Sequence, residues 1–211
     1  MEKLYVQFGC GLCAPEGWRN FDASPRLRVE QFPLIGRFIR HPLFPKNCEY
    51  GDIVRGLPLA PGSCDVVYAS HVLEHLSLVD LRTALQNVFA LLKPGGVFRL
   101  VVPDLESAAQ HYLASEAEDR ASEFLKATSL GKETRARTIM DRLHELIGNA
   151  SHLWMWDFRG LAAELKKVGF VEVRRAAFGD SLDPLLDRVE SEGRWIGALG
   201  LHCCKPSRSS L

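Results

Sequence analysis

The chain has 211 residues, and its 26 Lys and Arg balance 26 Asp and Glu for a formal charge of zero. That balance argues against a nucleic-acid partner, which calls for a basic excess, and no apolar run nears the roughly 18 residues of a membrane span. With 46% hydrophobic and 25% charged residues, the chain can bury a core as one domain over residues 1–211.

Residues 4–8 read as a short strand that stops in the glycine turn Gly9-Cys10-Gly11. Residues 19–21 form a second strand candidate ending at Asp22. Segment 26–47 sets Arg26, Arg28, Arg37, Arg40 and Lys46 against Glu30 alone, and its prolines at 33, 42 and 45 forbid one long helix. It is expected to be a lid. Residues 48–50 make a third short strand, closed by Gly51-Asp52. Residues 64–69 are a buried-strand run, residues 70–76 open a helical region, and Leu81, Leu85, Val88 and Leu92 carry helical spacing. Lys93-Pro94-Gly95-Gly96 stops that helix, and the β-branched run 97–102 follows. Strand, helix, glycine stop and strand make a βαβ unit, hence a parallel sheet covered by helices. The charged residues 104–150 predict a helical insertion. Residues 159–168 are a helix stopped by Gly169, and residues 170–174 and 195–203 are further strands. The expected fold is α/β: a Rossmann-like, seven-stranded, mostly parallel sheet flanked by helices, with a helical insertion.

Three strand ends carry residues suited to a nucleoside. Glycines at 9 and 11 let backbone approach a ligand outside the carboxyl end of a strand, although a plain tight turn needs them equally. An acid such as Asp22 can accept both ribose hydroxyls, and it can equally be a solvated turn residue. Asp52 can accept from an adenine amino group while the Ile53 amide donates to a ring nitrogen, or it can simply follow Gly51 in a turn. Each signal is weak alone; together they read as an adenosine site.

Other motifs compete for attention. His71-Val72-Leu73-Glu74-His75 matches H-x-x-E-H. On a helix, His71 and His75 would share a face and could grip zinc with Glu74 as base, which makes a metal-dependent hydrolase an alternative. The motif's place directly after a strand counts against that, and no metal is expected. Cys10 and Cys13 form C-x-x-C, but Ala14-Pro15-Glu16-Gly17 does not open the long helix a redox pair needs. The six cysteines (10, 13, 48, 64, 203, 204) are unevenly placed, and MEKLYVQFGC shows no basic-then-apolar leader pattern. Reduced, buried thiols and a cytoplasmic location are therefore expected. His152, Trp154, Trp156 and Asp157 cluster after the insertion. Aromatics with polar tips can line a substrate mouth, so Tyr112, His152 and Trp156 are candidate acceptor contacts; the same aromatics would equally anchor the following helix.

QFGCG, GWRNFDASP, YGDIVRGLPLAPGSCDVVYASHVLEHL and LLKPGGVFRLVVPDL together resemble class I S-adenosylmethionine-dependent methyltransferases. The nearest group is the bacterial branch with G-W-x-N-x-D-x-S-P in the second strand and S-H-V-L-E-H-L after the fourth. The likeness runs over residues 4–105 and continues in HLWMWDFRGLAAELKKVGFVEV and FGDS. It implies S-adenosyl-L-methionine as cofactor, with Gly9, Cys10 and Gly11 against its methionine part, Asp22 at the ribose, and Asp52 with Ile53 at the adenine. Ala69, Ser70 and His71 would face the sulfonium and its methyl. Two positions depart from the pattern. Gln7 stands where many members carry an acid, though it can still accept a hydrogen bond from the cofactor, and Cys13 stands where a third glycine is common.

The sequence therefore predicts methyl transfer to a small molecule or glycan precursor. His71 is the candidate base for an alcohol acceptor, or else a wall of the pocket. A nucleoside-binding module that has lost catalysis and serves a partner is the other alternative. Only ten residues separate Gly11 from Asp22, too few for a full helix between the first two strands.

Overall fold

A computed structural model describes residues 3–32, 41–132, 134 and 151–207. Seven strands form one sheet: β1 Tyr5–Phe8, β2 Trp18–Asp22, β3 Cys48–Tyr50, β4 Cys64–Ser70, β5 Leu92–Pro103, β6 Val171–Ala176 and β7 Ala198–Cys204. Their order is β3-β2-β1-β4-β5-β7-β6. The pairs among β1 to β5 are parallel, and β7 runs antiparallel to both β5 and β6. β1 and nearly all of β4 are buried on both faces, which explains their continuous apolar sequence without alternation. No helix joins β1 to β2, as the short spacing required.

One face of the sheet carries Val6, Phe8, Val67 and Phe98 into the main core. Two helices cover it: α2 (Leu78–Leu91) and α5 (Phe158–Val168). α2 starts where the Ser77 hydroxyl accepts from the Asp80 amide at 3.2 Å, and it buries Leu81, Ala84, Leu85 and Val88. α5 starts at Asp157, whose carboxylate accepts from Gly160 N at 2.7 Å, and Gly169 closes it. Arg82 of α2 binds Glu164 of α5 through two hydrogen bonds of 2.8 and 3.1 Å.

That Arg82–Glu164 pair carries a pH dependence. Arg82 first, and then Lys167, hold the Glu164 carboxyl down at about 2. An acid depressed in the folded state contributes stability above its ordinary value near 4.5, and the contribution disappears as pH falls toward 2. Glu164→Gln should therefore unfold with a shallower loss of stability between those limits in pH-dependent urea titrations. Parallel curves for the variant and the parent would refute the coupling.

The opposite face carries Tyr5, Trp18, Val66, Tyr68 and Val101. Among the described residues no regular helix covers it; the connection between β6 and β7 does, through two short 3₁₀ turns at Leu186–Arg188 and Glu192–Arg194. Leu186 and Val189 pack down there. Arg99, fully buried in mid-β5, meets Glu190 and Asp180 of the same connection.

The helical insertion contains α3 (Leu105–Ala114) and α4 (Arg120–Ala127); residues 135–150 lie outside the described residues. In segment 26–47, α1 (Pro25–Glu30) is formed, and the Glu30 carboxylate accepts from the amides of Leu43 and Phe44 at 3.0 and 3.2 Å. Residues 33–40 lie outside the described residues, and with them the middle of the expected lid.

Residues 70–76 are not a helix. Ser70 ends β4, His71 sits at φ +54°, and Leu73–His75 make one 3₁₀ turn before Ser77 caps α2. His71 and His75 therefore share no α-helical face, so the peptidase geometry that H-x-x-E-H suggested does not form. All six cysteines are free. Cys10 lies 3.2 Å from Cys48 Sγ, while the Cys13 thiol is exposed and faces the Arg188 carbonyl. Contact with Cys48 and burial push the Cys10 thiol up, away from the reactive thiolate. No helix of the described residues is long and apolar enough to cross a membrane.

Candidate active site

The parallel register brings the carboxyl ends of β1 to β4 side by side: Phe8 is level with Phe21 and with Ala69, and Asp22 with Tyr50. Beyond Phe8 the chain turns through Gly9 at φ +63° and Gly11 at φ +54°. A Cβ on Gly9 would sit 2.2 Å from a Val72 methyl, so position 9 needs glycine for space as well as for backbone angle. A Cβ on Gly11 would meet nothing within 4 Å. That side of the turn is open.

Asp22 closes the turn from β2. One carboxylate oxygen accepts from Gly11 N at 2.9 Å and the other from Ser24 N at 2.8 Å. Cys10 N donates to the Phe21 carbonyl at 3.0 Å, extending the strand pairing into the loop. A carboxylate can accept about four hydrogen bonds, so Asp22 is held rigidly with capacity left for a diol. Asp52 is braced in the same way: its Oδ1 accepts from Val54 N at 2.9 Å. Ile53 is buried, and its carbonyl takes the Asn87 amide at 2.7 Å. Gln7 faces its own loop. Its Nε2 donates to the Cys13 carbonyl at 2.7 Å and to Asn20 Oδ1 at 2.6 Å, so it shapes the glycine turn from beneath.

At the end of β4, Ala69 and Ser70 are buried and His71 is half-buried. The His71 amide donates to Val101 O at 2.9 Å. Its ring is engaged at both nitrogens: Nε2 lies 2.8 Å from the Arg194 carbonyl and Nδ1 lies 3.4 Å from Glu74 Oε1. A carbonyl only accepts, so Nε2 carries a proton, and Nδ1 faces the Glu74 carboxylate. The Glu74 carboxylate also raises the His71 pKa. The His71 ring is thus held between the Arg194 carbonyl and the Glu74 carboxylate at the end of β4.

The other candidates separate. Trp156 packs in the main core beside Leu161, and its carbonyl accepts from Leu105 N at 2.9 Å. It anchors the start of α3 and lies buried rather than at an open mouth. Tyr112 lies between α3 and α4, 5.5 Å from the Phe124 ring with the Arg120 guanidinium 5.2 Å above it. His152 stacks edge-on against His75, ring centroids 5.0 Å apart. The chain there is zipped to the turn after β4 by Leu153 N and Trp154 N, which donate to the Glu74 carbonyl at 2.8 and 3.1 Å. Glu74, fully buried at the centre of this histidine group, is the residue whose place the sequence did not disclose.

A seven-stranded sheet with one reversed strand defines an α/β protein of the kind that binds ligands outside the carboxyl ends of its parallel strands. Residues 15–174 match the family model of a methyltransferase domain. No curated protein sequence matches. A SAM-dependent methyltransferase of Thermotoga maritima superposes with a TM-score of 0.52 at 17% identity, over 97% of this chain and 83% of that one. A methyltransferase of Haloferax volcanii, solved in complex with the Trm112 methyltransferase activator, gives 0.51 at 17% identity with the same coverage. A SAM-dependent methyltransferase of Archaeoglobus fulgidus gives 0.50 at 15% identity, over 96% and 86%. The chain belongs to the methyltransferase domain family and is a class I, S-adenosylmethionine-dependent methyltransferase.

Proposed function

We propose that the protein, in the cytoplasm, methylates a small molecule or glycan precursor, as the bacterial branch it resembles would. The observation that carries this reading is a cavity of about 430 Å³ between α3 and α4, lined by His111, Tyr112, Arg120, Phe124 and Lys126 among others. Small-molecule sites typically hold roughly 300–1,000 Å³. After α4, the Ser129 carbonyl accepts from His152 N at 3.1 Å.

The residues divide the work. Asp22 takes the ribose, Asp52 and the Ile53 amide take the adenine, and the open side of Gly11 admits the amino-acid part between Gly9, Cys10 and Gly11. Ala69, Ser70 and His71 wall the methyl end. S-adenosylmethionine, when bound, supplies an electrophilic methyl group on its sulfonium. The protein's contribution is alignment of the acceptor and exclusion of water, which can supply about 7–11 kcal/mol of the barrier. The Arg194 carbonyl fixes the His71 ring that borders this space.

A radiolabelled methyl-transfer screen over hydroxyl- and amine-bearing small molecules and sugars, with RNA and protein as comparison substrates, tests the reading. Transfer to a small acceptor is expected, with Tyr112→Ala raising its KM at least several-fold while S-adenosylhomocysteine affinity holds. Transfer confined to RNA or protein would overturn it.

A further inference from the structure

We propose that Glu74, His75 and His152 hold a divalent transition-metal ion of the zinc class, beside the methyl end of the active site. One donor atom from each residue lies within 4.8 Å of the others. Zinc bound tetrahedrally at about 2.0–2.2 Å separates its ligands by roughly 3.3–3.6 Å, so side-chain shifts of about 1 Å would close the set.

The Glu74 carboxylate makes the case. Glu74 is fully buried, and neither oxygen has a hydrogen-bond partner among the described residues. A carboxylate without water or donors is costly unless a positive group faces it. Facing it are His71 Nδ1 at 3.4 Å and His75 Nε2 at 3.9 Å. His75 Nδ1 lies 3.1 Å from the Ser151 carbonyl. That carbonyl can only accept, so Nδ1 carries the proton and Nε2 turns a lone pair toward Glu74. Nδ1 of His152 is likewise buried without a partner. The Glu74 carboxylate, faced on one side by the His71 ring, thus converges with the His75 Nε2 lone pair and the unpartnered His152 Nδ1 within 4.8 Å, an arrangement a metal ion would complete. A ring held by a backbone carbonyl through its other nitrogen is also the outer-shell arrangement of metal-ligating histidines.

Two imidazoles and one carboxylate select zinc or a neighbouring first-row ion over calcium and magnesium, which prefer all-oxygen sets. This set differs from the helical His71–His75 pair that the motif suggested, because His152 arrives from the far side of the insertion. Three protein ligands leave one position open. Resting on the methyltransferase reading for its use, that position would take the oxygen of a hydroxyl-bearing acceptor.

The test needs neither donor nor acceptor, so its outcome is independent of the methyltransferase reading. The purified chain is incubated with Zn²⁺, desalted, and assayed by atomic emission. Separately, Co²⁺ is titrated with its visible absorption recorded. One retained zinc per chain is expected, with cobalt bands of a low-coordinate nitrogen and oxygen site. Glu74→Gln and His152→Ala should each weaken binding about tenfold or more, with circular dichroism showing that the variants fold. Should Glu74→Gln fail to fold, His152→Ala alone decides, since His152 lies in a loop outside strands and helices. Substoichiometric retention by the parent chain, or equal retention by folded variants, would overturn the site.

Discussion

Asp22→Ala should weaken S-adenosylhomocysteine binding by about 1.5–3 kcal/mol, the scale of a hydrogen bond to a charged group. The carboxylate has two duties in the structure. It receives the amides of Gly11 and Ser24, and it projects from the end of β2 where a ribose diol would meet it. Removing it takes away the diol's acceptor and releases the turn that shapes the cofactor's other end. Asp22→Asn keeps one acceptor oxygen but sets an amino group against a backbone N–H or the diol, so an intermediate loss is expected. Titration calorimetry with S-adenosylhomocysteine reads both. Unchanged affinity in Asp22→Ala would remove the ribose from this position.

Arg99→Ala should cost about 3–5 kcal/mol of folding stability, because it strands a buried carboxylate. Arg99 is completely enclosed. Its Nε pairs with Glu190, Nη1 reaches Asp180 at 2.7 Å, Nη2 reaches the Ala177 carbonyl at 2.8 Å, and the guanidinium lies 4.8 Å from the Trp195 ring. Glu190, with its side chain 1% exposed, would lose its counter-charge in the variant. The double variant Arg99→Met/Glu190→Leu should recover most of the loss, since apolar replacement of a whole buried pair is often neutral. Urea unfolding measures both. A single variant as stable as the parent would show that the pair does not fasten the β6–β7 connection.

These two sites mark how far the sequence could be read. The β4–α2–β5 unit was legible because it is local: a β-branched run, helical spacing at Leu81, Leu85 and Val88, and a glycine stop follow one another. The strand ends were legible for the same reason, since Gly9, Gly11, Asp22 and Asp52 each follow or end a short strand. The turn at 70–76 misled because Val72, Leu73 and Leu76 mimic a helical period. They are spaced to bury around a 3₁₀ turn, and Ser77 is the actual cap of α2. Arg99 was hidden inside a run of β-branched residues, with partners at 180 and 190 that only the reversed β7 brings beneath the sheet. Likewise His152 meets Glu74 and His75 only through the backbone zipper at Leu153 and Trp154. For Trp156 the sequence offered both a pocket mouth and a core anchor, because an aromatic beside polar residues suits either; the structure places it in the main core.

A crystal structure of the protein with S-adenosylhomocysteine tests where the cofactor lies. The ribose hydroxyls are expected on Asp22, the adenine against Asp52 and Ile53, and the amino-acid tail over the open side of Gly11. The sulfur should face the Ala69-Ser70-His71 end of β4. Nucleoside density anywhere other than the carboxyl ends of β1 to β4 would contradict it.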